Sequence, residues 1–126
     1  MKFMTLVKSA ENAGPPPQAL MDAIARLGME AGQSGVMVEM GGLLPSAVVA
    51  ARVRVAKGKL TITDGPFTEA KEVVGGYAVY RVGSRQEAIE WTRRFMELHR
   101  EHWPGWEGET ELRQIWEQGD VPGGGG

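Results

Sequence analysis

The sequence predicts an α+β fold in which an antiparallel sheet carries two helices on one face. Two observations lead to this prediction. Short stretches with an apolar side chain at every second residue, or apolar throughout, recur along the chain and indicate strands. Two longer stretches instead repeat their apolar residues at the three- and four-residue spacing of an amphipathic helix. The 126 residues can bury one core without disulfides or metals, so we expect a single domain.

The first strand is predicted at residues 2–8, which are apolar on both faces as in a central strand. Residues 10–14 then form a loop, and a run of prolines leads into the first helix, with Pro17 acceptable in its first turn. Gly32 and Gly35 bracket the end of that helix. Its core stripe consists of Leu20, Ile24, Leu27 and Ala31.

A second strand is predicted at residues 36–40, where Glu39 stands in an otherwise apolar pattern. In residues 51–55 and 60–62, apolar side chains alternate with basic or hydroxyl side chains, and a Lys-Gly turn separates the two stretches. This pattern predicts an inserted β-hairpin with one apolar face and one basic or hydroxylic face. Glu39 has two interpretations. In a cleft, its raised pKa would suit a proton shuttle; facing the hairpin, it would pair with an arginine.

Residues 76–82 form the next predicted strand, and the Ser-Arg-Gln-Glu capping box at residues 84–87 starts the second helix. The last strand is predicted at residues 109–116, so that the domain spans residues 1–117 and a disordered Gly-rich tail spans residues 118–126. Without the hairpin, the order is βαββαβ, the ferredoxin-like arrangement. The buried stripe of the second helix consists of Ala88, Trp91, Phe95 and Leu98.

The second face of such a sheet is left uncovered by the helices. It carries too many apolar residues for contact with water, so we expect a second copy of the chain to pack against it. The predicted assembly is therefore a homodimer.

Composition excludes several classes of function. A formal net charge of -2 gives no general attraction to nucleic acids or acidic membranes. The chain has no cysteine, which excludes disulfides, thiolate catalysis and cysteine-bound zinc. Neither a signal peptide nor a stretch of about 20 apolar residues is present, so we expect a cytoplasmic protein. No cofactor is predicted.

The richest polar segment is residues 64–72, Asp-Gly-Pro-Phe-Thr-Glu-Ala-Lys-Glu. Asp, Gly and Pro fix a sharp turn, and Thr68 can then cap a short helical turn with Glu69 in it. Asp64 is either a general acid or base, or a turn residue that accepts backbone N–H bonds from residues 66 to 68. Lys71 could bind an anionic group, with Glu69 and Glu72 beside it, or all three could be solvated charges.

Two histidines stand near the end of the second helix. His99 and His102 share a helix face, but their spacing differs from the well-attested zinc motif, so no metal site is predicted. His102 is a candidate ligand-binding residue, although it would also continue the apolar stripe. Trp103 and Trp106 are expected either to line an aromatic pocket or to pack in the core or at an interface.

The chain resembles the YCII-related proteins, in the branch marked by a DGPF motif. Asp64-Gly65-Pro66-Phe67 matches that motif, followed by Glu-Ala-Lys-Glu at residues 69–72 and Gly-Gly-Tyr at residues 75–77. The resemblance implies a ferredoxin-like fold that dimerises into an α/β barrel, and a family that mostly has no assigned reaction. Many members are proposed to use a His–Asp pair in which the histidine lies near the first helix. In this chain, residues 15–33, which include the predicted first helix, contain no histidine. Of the residues that the resemblance implies for catalysis, only Asp64 is present here, through its place in the DGPF motif.

Three functions follow from these observations. The first is binding of a small polar or anionic molecule in a cleft near the DGPF loop, which could include acid/base catalysis by Asp64, with Lys71 and Glu39 nearby. The second is a non-enzymatic regulatory module, because the resemblance implies an association with extracytoplasmic-function sigma factors. The third, by fold analogy alone, is a heme- or oxygen-dependent monooxygenase with His99 as axial ligand.

Overall fold

The computed structural model describes residues 1–67 and 70–119. A short 3₁₀ turn at Glu11–Ala13 occupies the loop predicted after the first strand. The remaining elements, in chain order, are β1 (Lys2–Ser9), α1 (Gln18–Gln33), β2 (Met37–Gly42), β3 (Ala51–Ala56), β4 (Lys59–Asp64), β5 (Val73–Arg81), α2 (Arg85–His102) and β6 (Gly108–Gln114).

The main sheet has four strands in the order β2-β5-β1-β6, and every neighbouring pair is antiparallel. The two helices cover one face, and β1 lies inside the sheet, hydrogen-bonded to β5 and β6. This order is that of a ferredoxin-like fold, so the predicted fold class is confirmed. Several strand boundaries differ from the predictions by a few residues, and the largest difference is that β5 begins at Val73 where residue 76 was predicted.

Local sequence explains where the helices begin and end. At the start of α2 the Ser84 hydroxyl accepts the Glu87 N–H at 3.1 Å, while the Glu87 carboxylate accepts the Gly83 N–H at 3.0 Å. The chain leaves α1 through Gly35, whose φ of 79° favours glycine. The Arg94 guanidinium then joins the two helices by donating to the Glu30 carboxylate at 2.8 Å.

The hydrophobic core occupies one end of the layer between helices and sheet. Ala88 of α2 is fully buried there. The strands and their flanking residues contribute a connected cluster that includes Phe3, Val36, Tyr80 and Val82. These side chains fill the space between α2 and the sheet at that end.

No helix within residues 1–67 and 70–119 covers the opposite face of the sheet. Met4 and Leu6 of β1 lie there opposite Val79 and Tyr77 of β5. Charged side chains border this open face, including an ion pair in which Lys8 Nζ lies 2.7 Å from the Glu111 carboxylate. The open face is thus an apolar centre between charged groups.

The inserted hairpin forms a separate two-stranded sheet of β3 and β4. Its turn uses Lys57 and Gly58 at φ values of 51° and 74°, the positive values that a tight hairpin turn requires. Every residue of both strands is exposed. Its apolar side consists of Val53, Val55, Leu60 and Ile62, each 65–70% exposed.

None of the helices in the described ranges, 1–67 and 70–119, has the length and apolar content needed to cross a membrane.

Candidate functional site

A large cavity of about 810 Å³ lies between the two helices and the sheet. Its wall is mostly apolar and aromatic, with few polar side chains. We refer to it as the central cavity. Residues of α1, α2, β1, β2 and β5 line it, together with the loops at residues 10–16 and 43–45.

The central cavity exists because the helix-facing side chains become small along the central strands. On β1 these positions run from Phe3, in the core, to Thr5, Val7 and Ser9, which line the cavity. On β5 the corresponding change is from Tyr80 to Ala78 and then to Gly76. The strands therefore leave unfilled volume at the end of the sheet that is farther from the core cluster.

The helix α2 supplies an aromatic wall. Trp91, Phe95 and His99 recur at intervals of four residues, so they lie on one face of the helix and line the cavity. After the helix ends, Trp103 and Trp106 continue this wall, with ring centroids 5.8 Å apart. Of the two expectations for these tryptophans, the aromatic pocket therefore describes their position.

His99 is the buried polar residue of this wall, with only 6% of its surface exposed. Its Nδ1 lies 3.0 Å from the Phe95 carbonyl oxygen, and its ring centroid lies 4.5 Å from that of Trp106. Burial lowers the pKa of His99, and the hydrogen bond to Phe95 only partly offsets that effect. The imidazole is therefore held neutral at neutral pH.

A hydrogen-bonded cluster connects the loops beside the cavity. The carboxylate of Glu11 accepts both the backbone N–H and the hydroxyl of Ser46, the latter at 2.7 Å. These bonds lower the pKa of Glu11. The Ser46 oxygen in turn accepts the Phe67 N–H at 2.9 Å. Glu11 lines the cavity, so the cluster connects its wall to the DGPF loop.

The DGPF loop itself lies outside the cavity lining. Asp64 ends β4 with an exposed side chain, and the Gly65 N–H donates to the Ala50 carbonyl at 2.9 Å. The Gly65–Pro66 peptide bond is cis. A side chain at Gly65 would overlap the Ser46 carbonyl oxygen, so glycine is required there by close packing of two backbones. The Phe67 ring lies 3.9 Å from the Arg52 guanidinium.

The predicted turn role of Asp64 is only partly testable within the described residues. Of the three N–H groups expected as its donors, Pro66 has none and that of Phe67 donates to Ser46 instead. Thr68 and Glu69, with the predicted helix start, lie outside the described residues. The catalytic role of Asp64 stays a prediction.

The other predicted site residues do not converge with Asp64 in the central cavity. Glu39 is exposed and accepts a hydrogen bond from the Tyr77 hydroxyl at 3.1 Å. It therefore has a partner other than the hairpin arginines considered from the sequence. Lys71 and Glu72 are exposed, and neither lines the cavity. His102 lies 3.9 Å from Glu101 and faces a smaller groove between α1 and α2.

The sequence favoured His102 as a ligand-binding residue, whereas the histidine that lines the cavity is His99. The spacing contains a signal for His99, because Trp91, Phe95 and His99 repeat every four residues and all line the cavity. His102 instead follows Leu98 by four residues, and these two side chains line the smaller groove. Tyr80 and Thr5 also line the cavity, and the sequence did not identify them. An alternating strand pattern shows that a side chain faces inwards, but not whether it packs in a filled core or lines a cavity.

No cluster of three or more acidic or histidine side chains suited to a metal ion occurs within residues 1–67 and 70–119. A scan against protein-family models matches residues 1–100 to the YCII-related domain. No curated protein matches the chain.

Replacing Gly65 with alanine tests the packing of the DGPF loop. The new methyl group would meet the Ser46 backbone, so we expect Gly65→Ala to lower the free energy of unfolding by about 1–3 kcal/mol. Gly75→Ala is the matched control, because a Cβ at Gly75 meets nothing within 4 Å. Urea denaturation of the two variants gives the comparison. Equal stability for both would contradict the close approach of the two backbones.

Proposed function

The chain belongs to the YCII-related family, and from that premise we propose that it binds a small, largely apolar molecule in the central cavity. The single observation that carries the proposal is the cavity itself. A volume of about 810 Å³ falls within the range of roughly 300–1,000 Å³ that small-molecule sites occupy. Its apolar and aromatic wall with a few polar groups is the usual composition of such a site.

The lining also supports a neutral ligand over an anionic one. Among the described residues that line the cavity there is no lysine or arginine. Its carboxylate, Glu11, is occupied by Ser46. A charged ligand would lose hydration without gaining a counter-charge, which is costly in an apolar site. We therefore favour a less polar ligand than the DGPF segment suggested, and we keep acid/base catalysis by Asp64 as a separate hypothesis.

Filling the cavity tests this function. Ile24 of α1 is half-buried and lines the cavity, so Ile24→Trp should occupy part of the volume. With the fluorescent probe N-phenylnaphthylamine, we expect binding to wild-type protein and a loss of affinity of about tenfold or more in the variant. Ala25→Trp, at an exposed position of the same helix, is the matched control and should bind as wild type. Unchanged binding by Ile24→Trp, or none by wild type, would count against the site.

We also propose that the open face of the sheet joins two copies of the chain. The observation in favour is that Met4, Leu6 and Tyr77 of this face are only half-buried, so each still exposes apolar surface that a second copy can cover. The charged border can make paired contacts across a two-fold axis, because such an interface is self-complementary.

Light scattering measures the assembly directly. Wild-type protein is expected at twice the 13.7 kDa of one chain. Leu6→Glu places a charge in the centre of the open face and should shift the protein to monomer. Ala25→Glu on the exposed side of α1 should leave the mass unchanged. A monomeric wild type would overturn the proposal.

A second candidate function, an interaction module that contacts an extracytoplasmic-function sigma factor, is supported by the β3–β4 hairpin. Its apolar side projects into solvent, and four large aliphatic side chains in one patch are typical of a protein-binding surface. The net charge of -2 favours a protein partner over DNA.

A purified extracytoplasmic-function sigma factor is the appropriate probe. Val53 and Ile62 are direct partners on the apolar side, so Val53→Glu and Ile62→Glu should each weaken the complex by about tenfold. Thr63→Glu lies on the other side of the hairpin and should have little effect. Absence of a complex with wild-type protein, measured by calorimetry, would exclude this partner.

A further inference from the structure

We propose that Nε2 of His99 is the hydrogen-bond acceptor of the central cavity, and that the ligand is a mainly apolar molecule carrying a phenol-type hydroxyl that donates to it. This inference rests on the proposed binding function and specifies the chemistry of its ligand.

The proton positions on His99 follow from its one backbone contact. Nδ1 lies 3.0 Å from the Phe95 carbonyl oxygen, and a carbonyl oxygen can only accept, so Nδ1 carries the hydrogen. Burial disfavours the charged imidazolium. In the neutral ring with hydrogen on Nδ1, Nε2 has a lone pair and acts as an acceptor.

The surroundings of Nε2 leave it open to a ligand. Within the described part of the chain, the contact with Phe95 is the one hydrogen bond that the ring makes. No fully enclosed side-chain nitrogen or oxygen in those residues lacks a partner, so Nε2 is not sealed inside the protein. Because His99 is 6% exposed and lines the cavity, the open space that Nε2 reaches is the cavity.

Neighbouring rings hold the imidazole in place. Its centroid lies 4.7 Å from that of Phe95 and 4.5 Å from that of Trp106. Together with the backbone hydrogen bond, these contacts restrict rotation of the ring, so the acceptor is positioned before a ligand arrives. A preorganised acceptor loses less entropy on binding than a mobile one.

The remaining titratable groups of the cavity wall explain why a hydroxyl is the matching group. Glu11 is bonded to Ser46 and is not available to a ligand. Burial raises the pKa of Tyr80, which keeps its phenol protonated and able to donate. The cavity thus offers an acceptor at His99 and a donor at Tyr80. A ligand hydroxyl matches the acceptor at His99, because it can donate a hydrogen bond to Nε2.

Two probes with the same apolar body separate the hydrogen bond from apolar packing. β-Naphthol carries a donor, whereas its methyl ether does not. By calorimetry at neutral pH, we expect wild-type protein to bind β-naphthol about three- to tenfold more tightly than the ether. In labelled protein, the Nε2 NMR shift of His99 should move on addition of β-naphthol and much less on addition of the ether.

Two variants of the same residue complete the test. His99→Asn can keep a donor near Nδ1 but has no acceptor near Nε2, so the preference for β-naphthol should disappear while the ether still binds. His99→Gln can place its amide oxygen near Nε2 and should restore part of the preference. Retention of the full preference in His99→Asn, or no movement of the Nε2 signal in wild type, would overturn the role of His99. Binding of neither probe to wild type would overturn the cavity function as well.

Discussion

The decrease in side-chain size along β1 and β5 is the constraint on which the interior depends. Backbone hydrogen bonds fix these two strands side by side, so their helix-facing residues form matched rows. Phe3 pairs with Tyr80 at the filled end, and Val7 pairs with Gly76 toward the cavity. Because protein interiors are normally close-packed, a volume of about 810 Å³ beside these small residues distinguishes this end of the layer from the filled end.

The DGPF loop influences that cavity without lining it. Phe67 donates to Ser46, and Ser46 donates to Glu11, which belongs to the wall. Ser46 also follows directly on residues 43–45, a second stretch of the wall. A motif that combines a glycine, required by close packing, with an aromatic ring held by Arg52 therefore stabilises two loops at once. Its residues have a structural use whether or not Asp64 takes part in chemistry.

The sequence predicted the fold well because the signals for helices and strands are local. The capping box at Ser84, the hairpin turn at Lys57-Gly58 and the alternation along β5 each involve neighbouring residues. The cavity depends instead on contacts between distant parts of the chain, such as Glu11 with Ser46, 35 residues apart. No periodicity contains that information. The sequence likewise does not show that His99 lines the central cavity while His102 lines the smaller groove, because the surroundings of both histidines depend on how α1 and the sheet pack against α2.

Polar and apolar chemistry are separated in this chain more strictly than the sequence suggests. Asp64, Glu39 and Lys71 are exposed to water, where hydration stabilises their charges, and none of them lines the cavity. The wall contains an uncharged imidazole and a protonated phenol, both kept neutral by burial. The Glu11 carboxylate of the wall is already bonded to Ser46, so hydrogen bonds between neutral groups are the polar interactions left for a ligand in the cavity. Such bonds discriminate ligands by the position of a donor or acceptor, because a buried group left without its partner is costly.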